Sequence, residues 1–446
     1  MKQINVPSPA RRRLRALTLG LALAATPMVG CQEGDGFDPI VYPPDAGPQE
    51  LTLQILHASD MEADSEAVEY APRFSAILND LRSEYPYNTV VVSSGDNYLP
   101  GPFFSSGEST EKDVKEAIGA PAAGRADIAL LNAMGFQASA LGNHEFDQGP
   151  GVIADLLGGE VLEEDGVDED GEEITIRYVY PGTGFPYLSA NLDFSEDAAL
   201  APFVGPDRQP ANLLDGQLAK STVIRLPTGD LIGVVGATPP TLASISAPGS
   251  GIDIGPTDED DETLTEDYAE LAKIIQAEVD GMTAMGIDKI ILLSHMQQLA
   301  IDKELASLLE DVDVIVAGGS NTILADDNDR LRVGDTKVDT YPLELESAAG
   351  DPVLVVNTDG NFHYVGRLVV RFDIDGIIKL GELDDTINGV YAADEQGAAG
   401  LSALSPVAAI ATAVGKVISA RDGNLFGLTT VFLDGLRTSV RTDSRS

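Results

Sequence analysis

The sequence predicts an α/β layered fold, and three observations carry that prediction. Short apolar strands alternate with amphipathic helical stretches from Leu51 onward. Polar residues able to bind a metal or move a proton recur where a strand gives way to a loop. The chain has 446 residues, 43% of them hydrophobic, so it can bury a large core. Open α/β sheets place their sites beyond the carboxyl ends of strands, where segments distant in sequence converge.

Residues 51–57 alternate apolar and polar side chains, which predicts a first strand, and the loop after it holds Asp60 and Glu62. A helix is expected over residues 67–81, then a buried strand over 89–93 that leads into Gly95, Asp96 and Asn97. A helix near residues 125–134 precedes a strand over 138–141 and the turn Gly142-Asn143-His144-Glu145-Phe146-Asp147. Leu264, Tyr268, Leu271, Ile275, Val279 and Met282 mark one helical face, before a strand at 289–293 and Ser294-His295. Residues 299–309 read as helix, and 312–316 as a strand ending at Gly318-Gly319-Ser320-Asn321. Two acidic runs, 163–173 and 258–267, read as solvated surface loops. The first does not form a calcium loop: with Gly171 at the turn position, Gly166 and Arg177 would fall on ligand positions.

The Gly142–Asp147 run places an amide, an imidazole and a carboxylate together. Asn143 suits a neutral metal ligand, while His144 suits a group that meets charge developing on phosphoryl or leaving oxygens. Asp147, three residues on, is placed to keep that imidazole protonated. Metal-assisted hydrolysis of a phosphate ester is the expected chemistry.

Acidic residues outnumber basic ones 72 to 28, for a formal charge of −44, which argues against nucleic acid or an anionic membrane surface as a partner. Small phosphate substrates remain compatible, because bound cations invert the field inside a cleft. Arg11, Arg12, Arg13 and Arg15 precede an apolar stretch, residues 17–29, too short for a stable transmembrane span, which reads as an export signal. The stretch ends Met28-Val29-Gly30-Cys31, resembling a bacterial lipobox with Cys31 as the lipidated residue, and Cys31 is the chain's 1 cysteine. An ordinary secretory signal is the alternative. Residues 1–31 are therefore expected to be a lipoprotein-type signal peptide and 32–50 a flexible tether, placing the protein in the periplasm or on the cell surface, anchored to a bacterial membrane.

These segments, in this order, resemble the 5′-nucleotidase branch of the calcineurin-like metallophosphoesterases. The resemblance runs through Leu56-His57-Ala58-Ser59-Asp60, Gly95-Asp96, the Gly142–Asp147 run, Leu293-Ser294-His295 and Asp313-Val314-Ile315-Val316-Ala317-Gly318-Gly319. It implies a four-layered αββα domain, over residues 51–385, holding two divalent metals. By position, Asp60 would bind the first metal, Asp96 would bridge both, and Asn143 and His295 would bind the second. His144 and Asp147 would form the catalytic pair while a metal-activated water attacks phosphorus in a nucleotide or another small phosphate ester.

The pattern is altered at the metal ligands. Glu62 stands where the resemblance implies histidine, and a later His-x-His or His-x-Gln reads Gly319-Ser320-Asn321. Glu62 and Asn321 still offer oxygen ligands, whereas Gly319 offers none, leaving the second site to lean on water or substrate oxygens. Such oxygen-rich sites favour Mn²⁺, Mg²⁺ or Ca²⁺ over Zn²⁺. Residues 386–446 are expected to be a linker helix and the opening of a nucleotide-recognition domain that is otherwise missing, with Arg437 and Arg441 at phosphate-contacting positions. The apolar face of that helix, Val407, Ile410, Val414 and Val417, is expected to lack cover. His57 is expected to pack at the end of the first strand and His363 to lie on a surface strand. A noncatalytic lipoprotein that keeps the fold with a degraded metal site is the alternative reading.

Overall fold

The computed structural model describes residues 49–167, 172–256 and 268–421. Two seven-stranded sheets pack face to face with helices outside each. The first sheet runs in the order Gly389–Ala392, Tyr364–Phe372, Leu51–Ala58, Thr89–Ser93, Ala138–Ala140, Tyr187–Leu188, Leu218–Ala219. The second runs Leu343–Glu346, Pro352–Val356, Val314–Ala317, Ile290–Ser294, Leu231–Ala237, Ser221–Arg225, Gln209–Pro210. Helices Ala67–Glu84 and Arg125–Met134 cover the first sheet, with Ser405–Arg421 packed outside them, and Tyr268–Ala284 and Leu299–Leu308 cover the second. This is the α/β layering that the sequence predicted, in the four-layered αββα form that the resemblance implied.

Side-chain alternation along Leu51–Ala58 sorts the layers. Leu51, Leu53 and Ile55 enter the core shared by the two sheets, whereas Leu56 and Ala58 join the core under the outer helices. Both faces of the strand are buried, so Gln54 needs partners. Its Nε2 donates to Leu81 O at 2.9 Å, and its Oε1 accepts from Arg367 Nε at 2.9 Å.

Register decides where the site falls. In the first sheet Ala58 lies beside Ser93, and Ser93 beside Ser139. In the second, Ala237 pairs with Ser294, and Ser294 with Ala317. These parallel strands end level with one another, so the loops that follow them share one end of the sandwich.

Two expectations are corrected. The run 163–173 is no loop where it is described: Glu160–Val167 and Glu173–Tyr180 form an antiparallel hairpin with Glu163 opposite Arg177, their side chains paired at 3.0 Å. Alternation through Ile174, Ile176, Tyr178 and Tyr180 sets the strand, with Tyr178 and Tyr180 buried, and the acidic neighbours obscured that signal. The second correction concerns the helix Ser405–Arg421. Its residues Val407, Ile410, Val414 and Val417 are buried against the outer helices of the first sheet. Gly415 permits the approach, since a Cβ there would lie 2.8 Å from Val68 Cγ1. Residues 258–267 and Leu264 lie outside the described residues. No helix among those described is long and apolar enough to cross a membrane.

Candidate active site

Loops 59–62, 94–97, 142–147, 295–297 and 318–321 meet at the level ends of the strands. Asp60, Glu62, Asp96, Gln297 and Asn321 all hold positive φ, at 50°, 36°, 52°, 64° and 46°. Backbone in that region costs a non-glycine residue energy, and it clusters where a site demands it. Glu145 ties two of these loops together. Its fully buried carboxylate accepts from the backbone N–H of Gly142 at 2.8 Å, Asp96 at 3.0 Å and Asn97 at 2.8 Å. Burial, reinforced by Asp96, raises its pKa to about 7.

Asp60, Asp96 and His295 are each buried, and one ligand atom from each lies within 4.8 Å of the others. His295 Nδ1 donates to Ser94 O at 2.7 Å, which fixes the ring and leaves Nε2 facing the carboxylates. Nε2 lies 3.0 Å from Asp96 Oδ2 without the alignment of a hydrogen bond. Such a buried imidazole nitrogen, held against carboxylates without an aligned hydrogen bond, is what a cation ligand looks like. Electrostatics agree. Burial alone would lower the His295 pKa, yet Asp96 and Asp60 push it up to about 10. Burial also raises Asp60 to about 6, against the pull of His295. The cluster holds an excess of negative charge that divalent cations would neutralise.

A second triplet, Glu62, Asp96 and His144, adjoins the first through Asp96. The backbone N–H of His144 donates to Asp96 Oδ1 at 2.8 Å, and its ring Nδ1 sits 2.6 Å from Asp147 Oδ2. Ser246 Oγ donates to the other Asp147 oxygen at 2.9 Å. Nε2 therefore faces the cluster, 3.5 Å from Glu62 Oε1 and 4.0 Å from Asp96 Oδ2. Burial pulls the His144 pKa down, but Asp147, Asp96 and Glu62 outweigh it and raise it to about 9, so the ring is imidazolium at neutral pH.

The structure brings together Asp60, Glu62, Asp96, Asn143, His144, Asp147 and His295. Asn143 is buried, and its Oδ1 accepts from Gln297 Nε2. Asn321 is exposed, and its Oδ1 would stand 3.4 Å from a Cβ at Gly360, with Asp60 O at 2.5 Å. Gly360 thereby lets the Asn321 and Asp60 loops close on each other. Both oxygens of Asp60 accept from Gly319 N, at 2.9 and 3.0 Å. Cys31, Arg437 and Arg441 lie outside the described residues. Sequence reasoning missed Glu145, although it stands inside the motif, and Gln297, two residues beyond His295.

His57 and His363 stand apart from the cluster. His57 shares a 2.8 Å hydrogen bond with Tyr341 OH deep in the core, as expected of a packed histidine. His363 is half-buried in the turn just before Tyr364–Phe372, not on a surface strand. Its Nδ1 lies 3.1 Å from Asp359 Oδ2, and its ring meets Tyr70 edge-on.

No protein-family model matches the chain. Curated relatives include the trifunctional nucleotide phosphoesterase YfkN of Bacillus subtilis, 26% identical over 90% of this chain and 23% of that protein. A 5′-nucleotidase of Diplobatis ommata is 29% identical over 75% of this chain and 48% of its own length. A probable 5′-nucleotidase of Treponema pallidum is 29% identical over 82% of this chain and 50% of its own. The chain thus spans half or less of the length of these relatives. Among solved structures, a 5′-nucleotidase precursor from Thermus thermophilus matches with TM-score 0.59 and 23% identity, covering 83% of this chain and 59% of that one. The NAD nucleotidase of Haemophilus influenzae matches with TM-score 0.52 and 22% identity, covering 83% and 60%. By sequence this chain is similar to 5′-nucleotidases and to the nucleotide phosphoesterase YfkN, and it shares its fold with the two solved nucleotidases.

Proposed function

We propose that this protein is a metal-dependent phosphoric ester hydrolase acting on nucleotides or other small phosphate esters. The observation that carries the reading is the His144–Asp147 pair, which faces the Asp60, Asp96 and His295 cluster across Glu62 and Asp96. Asp60, Glu62, Asp96 and Asn321 would hold one divalent cation, and Asp96, Asn143 and His295 a second, with Mn²⁺, Mg²⁺ or Ca²⁺ suited to donors so rich in oxygen. Bound there, the cations supply Lewis acidity and a water of lowered pKa.

The chain's own residues do the rest. Asp147 holds the Nδ1 proton of His144 and keeps the ring charged, so Nε2–H is directed at a phosphoryl oxygen or at the leaving oxygen. Ser246 fixes the angle of Asp147. Glu145 holds the Asp96 and Gly142 loops at fixed separation, which keeps the metal donors and the imidazole in one geometry.

The test is phosphate release from AMP and from an aryl phosphate with Mn²⁺, Mg²⁺ and Ca²⁺, beside His144→Ala. Release from both esters that collapses in the variant supports the reading. Release from neither, by folded protein under every metal, leaves the noncatalytic alternative, which draws on the absent side chain at Gly319.

We further propose export and lipid anchoring through Cys31, on the basic and apolar run that precedes it. Palmitate labelling that persists in Cys31→Ser would refute the anchor. Arg437 and Arg441 are proposed to contact the substrate phosphate. Substituting both with Lys should raise KM for AMP with little change in metal affinity.

A further inference from the structure

Position 319 is where the family pattern has an imidazole, and the structure shows what occupies the space instead. A Cβ on Gly319 would lie 2.6 Å from Gln297 Nε2, 2.9 Å from Gln297 N and 3.0 Å from Gln297 Cα. With φ at +79°, Gly319 also disfavours any side chain. A residue with a side chain at 319 and the present placement of Gln297 exclude each other. Gln297 is half-buried, holds its own strained backbone, and extends its amide to Asn143 Oδ1. His295, two residues earlier, aims Nε2 into the same cluster, 3.0 Å from Asp96 Oδ2.

Resting on the metal reading above, we infer that Gln297 supplies the ligand Gly319 lacks, offering its amide oxygen to the cation shared by Asp96, Asn143 and His295. A carboxamide presents nitrogen or oxygen through a half-turn of its last side-chain bond. Facing the Asn143 oxygen directly, it presents the nitrogen; with a cation between them, the oxygen turns inward, because two carbonyl oxygens face each other favourably only across positive charge. The second site then has two neutral amide oxygens, one imidazole and one shared carboxylate. Neutral ligands leave charge on the cation for a phosphate group, and an oxygen in place of a nitrogen moves preference toward Mn²⁺ and Mg²⁺.

The experiment is Mn²⁺ titration of the full chain by calorimetry, with free Mn²⁺ followed by its paramagnetic resonance signal. Wild type is expected to take up two ions. In Gln297→Ala, and in Gln297→Met, which keeps length without a polar atom, one of the two affinities should fall about tenfold or more while the other stays within twofold. Gln297→Glu retains an oxygen ligand and should bind that ion at least as tightly as wild type. If Gln297 acts only as a hydrogen-bond donor to Asn143, Gln297→Glu will weaken the ion as the alanine variant does, and the inference fails. Both affinities unchanged in the Ala and Met variants would also overturn it. Wild type that binds no Mn²⁺ would instead remove the metal reading itself, a separate result.

Discussion

Two buried imidazoles stand near strand ends in this sandwich, and their surroundings drive them in opposite directions. His57 is 1% exposed and His295 is 0% exposed, so burial does not separate them. His57 sits one residue inside the end of Leu51–Ala58, against the ring of Tyr341, and burial pulls its pKa down to about 3. His295 sits one residue beyond the end of Ile290–Ser294, where Asp96 and Asp60 reach it and push its pKa up to about 10. A shift of two places relative to a strand end separates a core group from a candidate ligand. The lesson is that the level ends of parallel strands collect charge, while the strand interiors exclude it.

The strongest way to break this contrast is at the imidazole facing the cluster. His144→Ala is expected to lower phosphate release by about 10²–10⁴-fold while leaving Mn²⁺ binding in place. Equal turnover in variant and wild type would end the assignment of His144. His57→Gln, by contrast, should leave turnover within about twofold when assayed at a pH where both proteins are fully folded.

Next in size is the brace beneath the loops. Glu145→Leu leaves three buried backbone N–H groups without their acceptor, and should cost at least ~2 kcal/mol in denaturant unfolding. A smaller loss would mean that the Asp96 and Gly142 loops hold their shape without it.

The core histidine makes a pH prediction. Its folded pKa lies below the ordinary 6.5, so between about 3 and 6.5 the unfolded chain binds a proton that the folded chain refuses. Its stabilising contribution is complete above pH 6.5 and is lost as pH falls toward 3, with a slope up to ~1.4 kcal/mol per pH unit. Unfolding free energies at pH 5 and pH 7 should therefore differ less in His57→Gln than in wild type. An identical difference in the two proteins would place the acid sensitivity elsewhere.

The smallest effect sharpens the contrast from outside. His363 also has an aspartate partner, yet it lies away from the cluster. His363→Ala should change stability by less than ~1 kcal/mol and leave turnover unchanged. A large drop in turnover would show that pairing with a carboxylate matters more than place in the fold.

Much of the scaffold was legible because it follows from local periodicity. Alternation along residues 51–57 and the spacing of Leu271, Ile275, Val279 and Met282 each report a face. The acidic hairpin was missed because its alternation lies beneath exposed charge, and the cover on Val407 and Val414 was missed because the surfaces that bury them lie hundreds of positions earlier. The motif residues were readable, but their supports were not. Glu145 looked like a neighbour of His144 until its three N–H partners were in view.

The sequence by itself determined the strands and helices that carry the site, which polar residues stand at their ends, and that position 319 has no side chain to offer. Periods of two and 3.6 residues are local properties of a backbone, so they are written in neighbouring letters. Only the tertiary structure decided that five non-glycine residues of the site take left-handed backbone, and that Gln297 meets Asn143 across 154 positions to fill the volume above Gly319. Such contacts depend on the register in which separate strands return to the same end of two packed sheets. That register is set by the burial of whole faces, and no local stretch of residues contains it.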